Sequence, residues 1–212
     1  MLLFQSILLC LLAGYVLGGI SGGHVAGKLY NTDVREHGSG NLGATNVLRT
    51  LGWKAAVITF AVDVLKVIIP VLVVRYLLFP QYAPYSYENQ LLVLYIAFGA
   101  VIGHNFPMTL NFHGGKGVSC LAATILMFDW RLALPEILIF VTIVAITKYV
   151  SVGSIIVSLV FFCWIYVVHD ATLHMALIAL AFPVSVIFMH RSNIKRLMQG
   201  TENKIGSKKK TK

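Results

Sequence analysis

The chain has 212 residues and a formal net charge of +9; 58% of its residues are hydrophobic and only 12% are charged, with a mean hydropathy of +0.80. Soluble domains carry about 45–50% apolar and about 25% charged residues, so this chain has more apolar surface than a water-soluble core can bury, and lipid must solvate much of it. The positive balance does not call for nucleic acid, because cations retained in cytoplasmic loops beside anionic lipid account for it.

A spanning helix needs about 20 mostly apolar residues. In chain order the apolar runs are 2–20, 55–74, 91–102, 118–128, 132–147, 152–168 and 171–189. Five are convincing spans. The third and fourth are short, and either flanking residues extend them or they form a re-entrant pair. No cation precedes Lys28, so the first run lacks the positive segment of a signal peptide and is expected to stay as a helix. Cys10, Cys120 and Cys163 lie in apolar runs and are odd in number, which fits packing residues, not a disulfide framework or a metal site. The fold class expected is an all-α membrane protein: one domain over 1–205 and a basic, disordered tail over 206–212.

Both span counts give the same parity and put the termini on opposite faces. With the first helix starting outside, every Lys and Arg except Lys66, Arg75 and Arg131 falls on one side. The positive-inside bias makes that side cytoplasmic and the N-terminus external. Asp63 and Lys66 stand three apart inside the second span. A lone charge at the bilayer centre costs at least about 2.5 kcal/mol, and an intrahelical pair lowers that cost.

Four polar elements fall on the cytoplasmic side. The first runs from His37 to Gly52 and contains Ser39, Gly40, Asn41, Thr45, Asn46 and Arg49. Glycines there let backbone N–H groups turn toward an anion, and Thr45 or Asn46 can cap a following helix. The second holds Gly103-His104-Asn105-Phe106-Pro107 and then Gly114-Gly115-Lys116-Gly117. Such a run can cradle phosphate with backbone donors and one ammonium, although it is not a nucleotide P-loop, because Gly117 follows the lysine. The third is Lys148 to Ser154, where Ser151 and Ser154 are candidate helix caps. The fourth is His190-Arg-Ser-Asn193, with His190 and Asn193 three apart on a helix leaving the membrane. Each alone has a plainer explanation: loop, anchor, cap or basic juxtamembrane helix. Together they describe one site for a phosphorylated substrate, with apolar helices behind it for a lipid tail.

These blocks, Ser39-Gly-Asn-Leu-Gly-Ala-Thr-Asn-Val-Leu-Arg49, Gly103-His104 with Phe106-Pro107, Gly114-Gly-Lys116-Gly-Val and His190-Arg-Ser-Asn193-Ile, resemble in order the signature blocks of the bacterial acyl-phosphate:glycerol-3-phosphate acyltransferases of the PlsY type. The likeness runs from the first helix to about Gly206. It departs at Val67, at Ser119-Cys120 and at His113, none of them an expected catalytic residue. The resemblance implies seven spans in the bacterial inner membrane, with the N-terminus outside and the active site facing the cytoplasm. It implies transfer of a fatty acyl group from acyl phosphate to the 1-hydroxyl of glycerol 3-phosphate, giving lysophosphatidate and inorganic phosphate, the first acylation of phospholipid biosynthesis. No cofactor or metal is expected. Partners are acyl phosphate, glycerol 3-phosphate and membrane lipids, with the acyl-phosphate-forming enzyme as a further candidate.

The expected catalytic residues are Ser39, Arg49, Lys116, His190 and Asn193. The expected substrate-binding residues are Gly40, Asn41, Thr45, Asn46, His104, Gly114, Gly115, Gly117 and Ser151. Arg49 and Lys116 would hold phosphate groups. His190, the donor phosphate or an acylated Ser39 are the alternatives for the chemical step. An organic-phosphate transporter with Asp63 and Lys66 along its path is the rival class, and a scaffold subunit is a third.

Overall fold

The structure is a computed structural model and describes residues 2–205; the tail expected over 206–212 lies outside the described residues. The described chain is helical and divides into two compact units, Met1–Asp129 and Trp130–Lys212. The first contains α1 (Leu3–Gly18), α2 (Gly22–Leu29), α3 (Ala44–Leu51), α4 (Trp53–Val73), α5 (Tyr87–Asn105) and α6 (Val118–Phe128). The second contains α7 (Trp130–Thr147), α8 (Val150–Val168), α9 (Leu173–Met189) and α10 (Arg191–Met198).

In the first unit α1 packs along α5 by bringing backbone against backbone. Gly14 and Gly18 face the main chain of Ile96 and Ala100, and Gly99 and Gly103 face that of Leu11 and Tyr15. Both helices thus carry small residues four apart on the shared face, the pattern that lets membrane helices approach closely. A Cβ at any of the four would run into backbone atoms. The Tyr15 hydroxyl adds a bond to the Phe106 carbonyl at 2.9 Å, just past the end of α5.

α4 continues past Pro70 into a π turn, Val74–Leu78. There Arg75 Nη1 donates to the Met127 carbonyl of α6 at 2.6 Å, and its guanidinium stacks 4.3 Å from the centroid of the Tyr85 ring. Buried Asn89 donates to the Arg75 carbonyl at 3.1 Å and accepts from Tyr85 N at 3.3 Å, which fixes the turn before α5.

Five segments are long and apolar enough to cross a membrane: Leu3–Leu29, Trp53–Leu78, Tyr87–Leu110, Trp130–Thr147 and Val150–Val168. The third predicted span is therefore full length, not a short stub. Its ends, Tyr87–Gln90 and His104–Asn105, are polar and hid its length from a hydropathy reading. The fourth stays short, since the 11 residues of α6 rise only about 16 Å. The last, predicted over 171–189 as a single convincing span, meets the length test only together with α10, across a bend of 56°. Within the second unit, α8 packs on α9 through an edge-to-face pair of Phe161 and Phe182, with centroids 5.4 Å apart. Exposed large side chains such as Phe4, Val57, Ile137 and Val167 line the helices, as lipid-facing surfaces require.

Replacing Gly18 or Gly103 by Leu should destabilise the protein by at least the roughly 1–3 kcal/mol of ordinary overpacking, because the obstruction is main chain. Thermal unfolding in detergent will show it, and Leu12→Ala on the exposed side of α1 should stay within about 0.5 kcal/mol of wild type.

Candidate active site

The first loop is organised around one buried side chain. Asn46 Oδ1 accepts from Ser39 N at 2.8 Å, and its Nδ2 donates to the carbonyls of His37 at 3.1 Å and Asn41 at 3.0 Å, with Val34 at 3.4 Å. The loop wraps so tightly that Gly38, at φ +63°, has Asn46 Oδ1 where a Cβ would go. Before it, Asp33 caps a single 3-10 turn, Val34–Glu36, accepting from Arg35 N at 2.9 Å and from its guanidinium. Those bonds from Arg35 hold the Asp33 carboxyl down at about 2. Asn41 accepts from Gly43 N at 2.9 Å.

Gly43, with no side-chain bond, is the N-cap of α3, so Thr45 and Asn46 lie inside the first turn and neither is the cap. Asn46 is committed to the loop's own backbone. Ser39, Gly40, Thr45 and Arg49 remain exposed, and Thr45 and Arg49, four apart, share a face of α3. The Ser39 hydroxyl and the Arg49 guanidinium make no hydrogen bond or ion pair among the described residues.

The second loop leaves α5 and returns to it. Gly114 N donates to the Asn105 carbonyl at 3.2 Å and Gly115 N to the His104 carbonyl at 3.0 Å. The His104 ring lies against Gly115, and a Cβ there would collide with it. Gly117, at φ +74°, is the N-cap of α6 and fits beside Val101 and Asn105. Lys116 is half-buried between these glycines. The loop thus presents a cation beside the start of a helix, where free N–H groups and the helix dipole favour an anion. Leu110 of this loop joins Leu42 and Val47 of the first in an apolar cluster with Ala26, Val34 and Ala55, so the two loops share one foundation.

In the second unit the organiser is a carboxylate. Glu202, its side chain 5% exposed, accepts from Asn193 Nδ2 at 2.5 Å, Arg196 Nε at 2.7 Å and Ser151 Oγ at 3.1 Å. Ser151 is therefore a partner inside α8, not its cap; the N-cap is Tyr149, and Ser154 bonds back to Val150. His190 sits at the break between α9 and α10, so it and Asn193 are not on one continuous helix. His190 Nδ1 is 2.8 Å from the Val186 carbonyl. A carbonyl only accepts, so Nδ1 carries a hydrogen, and in the neutral ring the lone pair is on Nε2. Sequence reading gave Glu202 no role; its signal was a single acid in an otherwise cationic segment. Among the described residues no group of three or more His, Cys, Asp or Glu could hold a metal ion.

Burial alone would raise the Glu202 pKa, but the bonds from Asn193 and Arg196, with the Arg196 charge and Ser151, outweigh it and hold the carboxyl below the ordinary 4.5. A depressed carboxyl pKa stabilises fully above the unfolded value. The stability it adds is thus present above pH 4.5 and lost as pH falls through the lower folded value. Glu202→Gln should flatten that acid limb and raise amide exchange in α10 at neutral pH, as hydrogen-exchange mass spectrometry can record.

Residues 8–200 match the family model described as glycerol-3-phosphate acyltransferase. Similar relatives carry the same name: one from Clostridioides difficile (strain 630) is 42% identical, covering 98% of this chain and 98% of its own, and one from Thermoanaerobacter sp. (strain X514) is 40% identical, covering 92% and 93%. A crystal structure of PlsY (YgiH), an integral membrane glycerol 3-phosphate acyltransferase in its glycerol 3-phosphate form, is 33% identical and superposes with a TM-score of 0.83 over 95% of this chain and 96% of that one. Its lysophosphatidic acid form gives 0.81. With its polar loops, glycine-packed helices and family-wide match, the chain belongs to the PlsY-type glycerol-3-phosphate acyltransferases.

Proposed function

We propose that this membrane enzyme transfers a fatty acyl group from acyl phosphate to the 1-hydroxyl of glycerol 3-phosphate, forming lysophosphatidate and inorganic phosphate. The observation that carries the reading is the likeness, over 95% of the chain, to PlsY in its glycerol 3-phosphate form. An acyl phosphate is an activated mixed anhydride, so the protein has mainly to position two anionic substrates and neutralise their charge. Lys116 and the start of α6 at Gly117 make one phosphate cradle, and Gly114 and Gly115, whose N–H groups are bonded to α5, hold its shape. Arg49, with Ser39, Gly40, Asn41 and Thr45 around it, makes the polar surface of the first loop, and Asn46 holds that loop in shape. Asn193, oriented by Glu202, would bond hydroxyl or phosphate oxygens, and Ser151, whose hydroxyl hydrogen goes to Glu202, would accept from a glycerol hydroxyl.

The glycerol hydroxyl attacks the acyl carbon, the bond from that carbon to the phosphate oxygen breaks, and phosphate leaves with the electron pair. The proton goes to a base. The Nε2 lone pair of His190, fixed by the Nδ1 bond to Val186, supports the histidine for that role. Lys66 has all three ammonium protons occupied by internal acceptors, which argues against a transport path along it.

The acyl chain would lie among the apolar helices. α6 and α9 would add to the five long segments to make seven spans, with the N-terminus outside and the loops facing the cytoplasm of a bacterial inner membrane. Residues 1–205 would then act as one domain, as a family match from 8 to 200 supports. Membrane lipids and the enzyme that forms acyl phosphate are the expected neighbours.

Purified enzyme in lipid should release phosphate only when both substrates are present and should yield lysophosphatidate. Lys116→Ala and Arg49→Ala should each lower kcat/KM by about a hundredfold or more, as lost charge-assisted phosphate bonds do. His190→Gln should lower kcat by roughly 10²–10⁴-fold, the span of general-base contributions; near-normal turnover would move the base to the substrate phosphate.

A further inference from the structure

Asp63 and Lys66 form a buried ion pair in the first unit, with side chains 0% and 3% exposed, and the proposed chemistry does not use them. An ammonium has three donors and no acceptor. Lys66 Nζ has three acceptors from three segments: the Ile20 carbonyl at 2.8 Å, Asp63 Oδ1 at 2.9 Å and His104 Nδ1 at 2.8 Å. Asp63 Oδ1 also accepts from Gly22 N at 3.1 Å, so two separate donors hold the carboxylate that holds the lysine. The His104 Nδ1 atom is 3.4 Å from Asp63 Oδ1, farther than from the ammonium.

An ammonium cannot accept, so Nδ1 of His104 must face it with a lone pair. A neutral imidazole that accepts at Nδ1 carries its hydrogen on Nε2. That nitrogen lies where a Cβ on Gly115 would be, beside the Gly114–Gly117 loop. The side chain is 3% exposed, and Nε2 has no hydrogen-bond partner among the described residues. The loop beside this N–H carries Lys116 and opens α6, a setting suited to an anion.

We propose that Asp63 and Lys66 lock His104 in its Nε2–H form, and that this N–H donates to a phosphoryl oxygen seated at the Gly114–Gly117 loop. His104 touches substrate; Asp63 and Lys66 are positioning residues acting through it. The inference rests on the acyltransferase reading. The oxygen can belong to the acyl phosphate or to glycerol 3-phosphate, and separate KM values tell the two apart.

Two measurements on the full-length protein in lipid test the proposal. The first is the nitrogen NMR spectrum of ¹⁵N-histidine-labelled enzyme, with the His104 signals identified by their loss in His104→Asn. Nδ1 should be the unprotonated nitrogen, and Lys66→Met should remove that preference. A hydrogen on Nδ1 in the wild type would overturn the lock.

The second is kinetic. A glutamine amide reaches the Nε2 position and an asparagine amide does not. His104→Asn should raise KM for one substrate roughly ten- to a hundredfold, the value of a bond to a charged acceptor, while His104→Gln should recover most of the loss. A purely structural role would lower the amount of folded enzyme and leave KM alone. Unchanged KM for both substrates in folded His104→Asn, or equal losses in both variants, would overturn the contact. A wild type inert toward both substrates would overturn the acyltransferase reading and the contact with it, while the nitrogen spectrum would still decide the lock.

Discussion

A single ammonium group sets the register of the first unit. Lys66 lies in an apolar helix, where an unmatched charge is costly by several kcal/mol. It is tolerated because three acceptors converge on it from the end of α1, from α4 and from α5. Sliding any of these helices by one residue would remove an acceptor and leave a buried donor unmet. The same arrangement reaches the Gly114–Gly117 loop without an intermediary, since Gly115 bonds to the His104 carbonyl and lies under its ring.

Polar side chains in both units divide into those that hold backbone and those that are presented. In the first loop Asn46 binds four main-chain groups, and Ser39, Thr45 and Arg49 are left at the surface. In the second unit Glu202 gathers Ser151, Asn193 and Arg196. Binding sites need such support, because a side chain free to choose rotamers gives up binding energy when a ligand fixes it. One organising residue is an amide and the other a carboxylate, and each matches its partners: mixed donors and acceptors around Asn46, donors alone around Glu202.

The membrane class and most apolar segments were legible in composition and hydropathy, because lipid exposure demands long runs whatever the packing. The signature blocks, through Arg49, Lys116 and His190, pointed to the family. What stayed hidden depended on tertiary partners. Asp63 and Lys66 were visible as a pair at i and i+3, but nothing local announced His104 as the third member from another helix. Asn46 read as a helix cap or a substrate-binding residue, and only the folded loop shows its amide turned inward onto backbone. Glycines at 14, 18, 99 and 103 could have been read as two small-residue pairs four apart, yet spacing alone does not say that one pair meets the other. The cap expectations failed for different reasons: Asn46 and Ser151 bond to distant partners, Ser154 bonds back within α8, and Thr45 lies inside the first turn of α3, which Gly43 caps.

The glycine contact between α1 and α5 also bears on how the protein meets bilayers of different thickness. A transmembrane helix usually answers a mismatch by tilting against its neighbours, at a fraction of a kcal/mol per ångström. Two helices whose main chains touch, with no side-chain layer between them, have no soft padding to absorb such a tilt, and they lean as one body. Thinner or thicker membrane must therefore be accommodated by the lipid around this pair or by helices with side chains at their contacts. The pair carries Tyr15 and His104 toward one end, so the geometry beside the Gly114–Gly117 loop leans with the pair instead of bending within it.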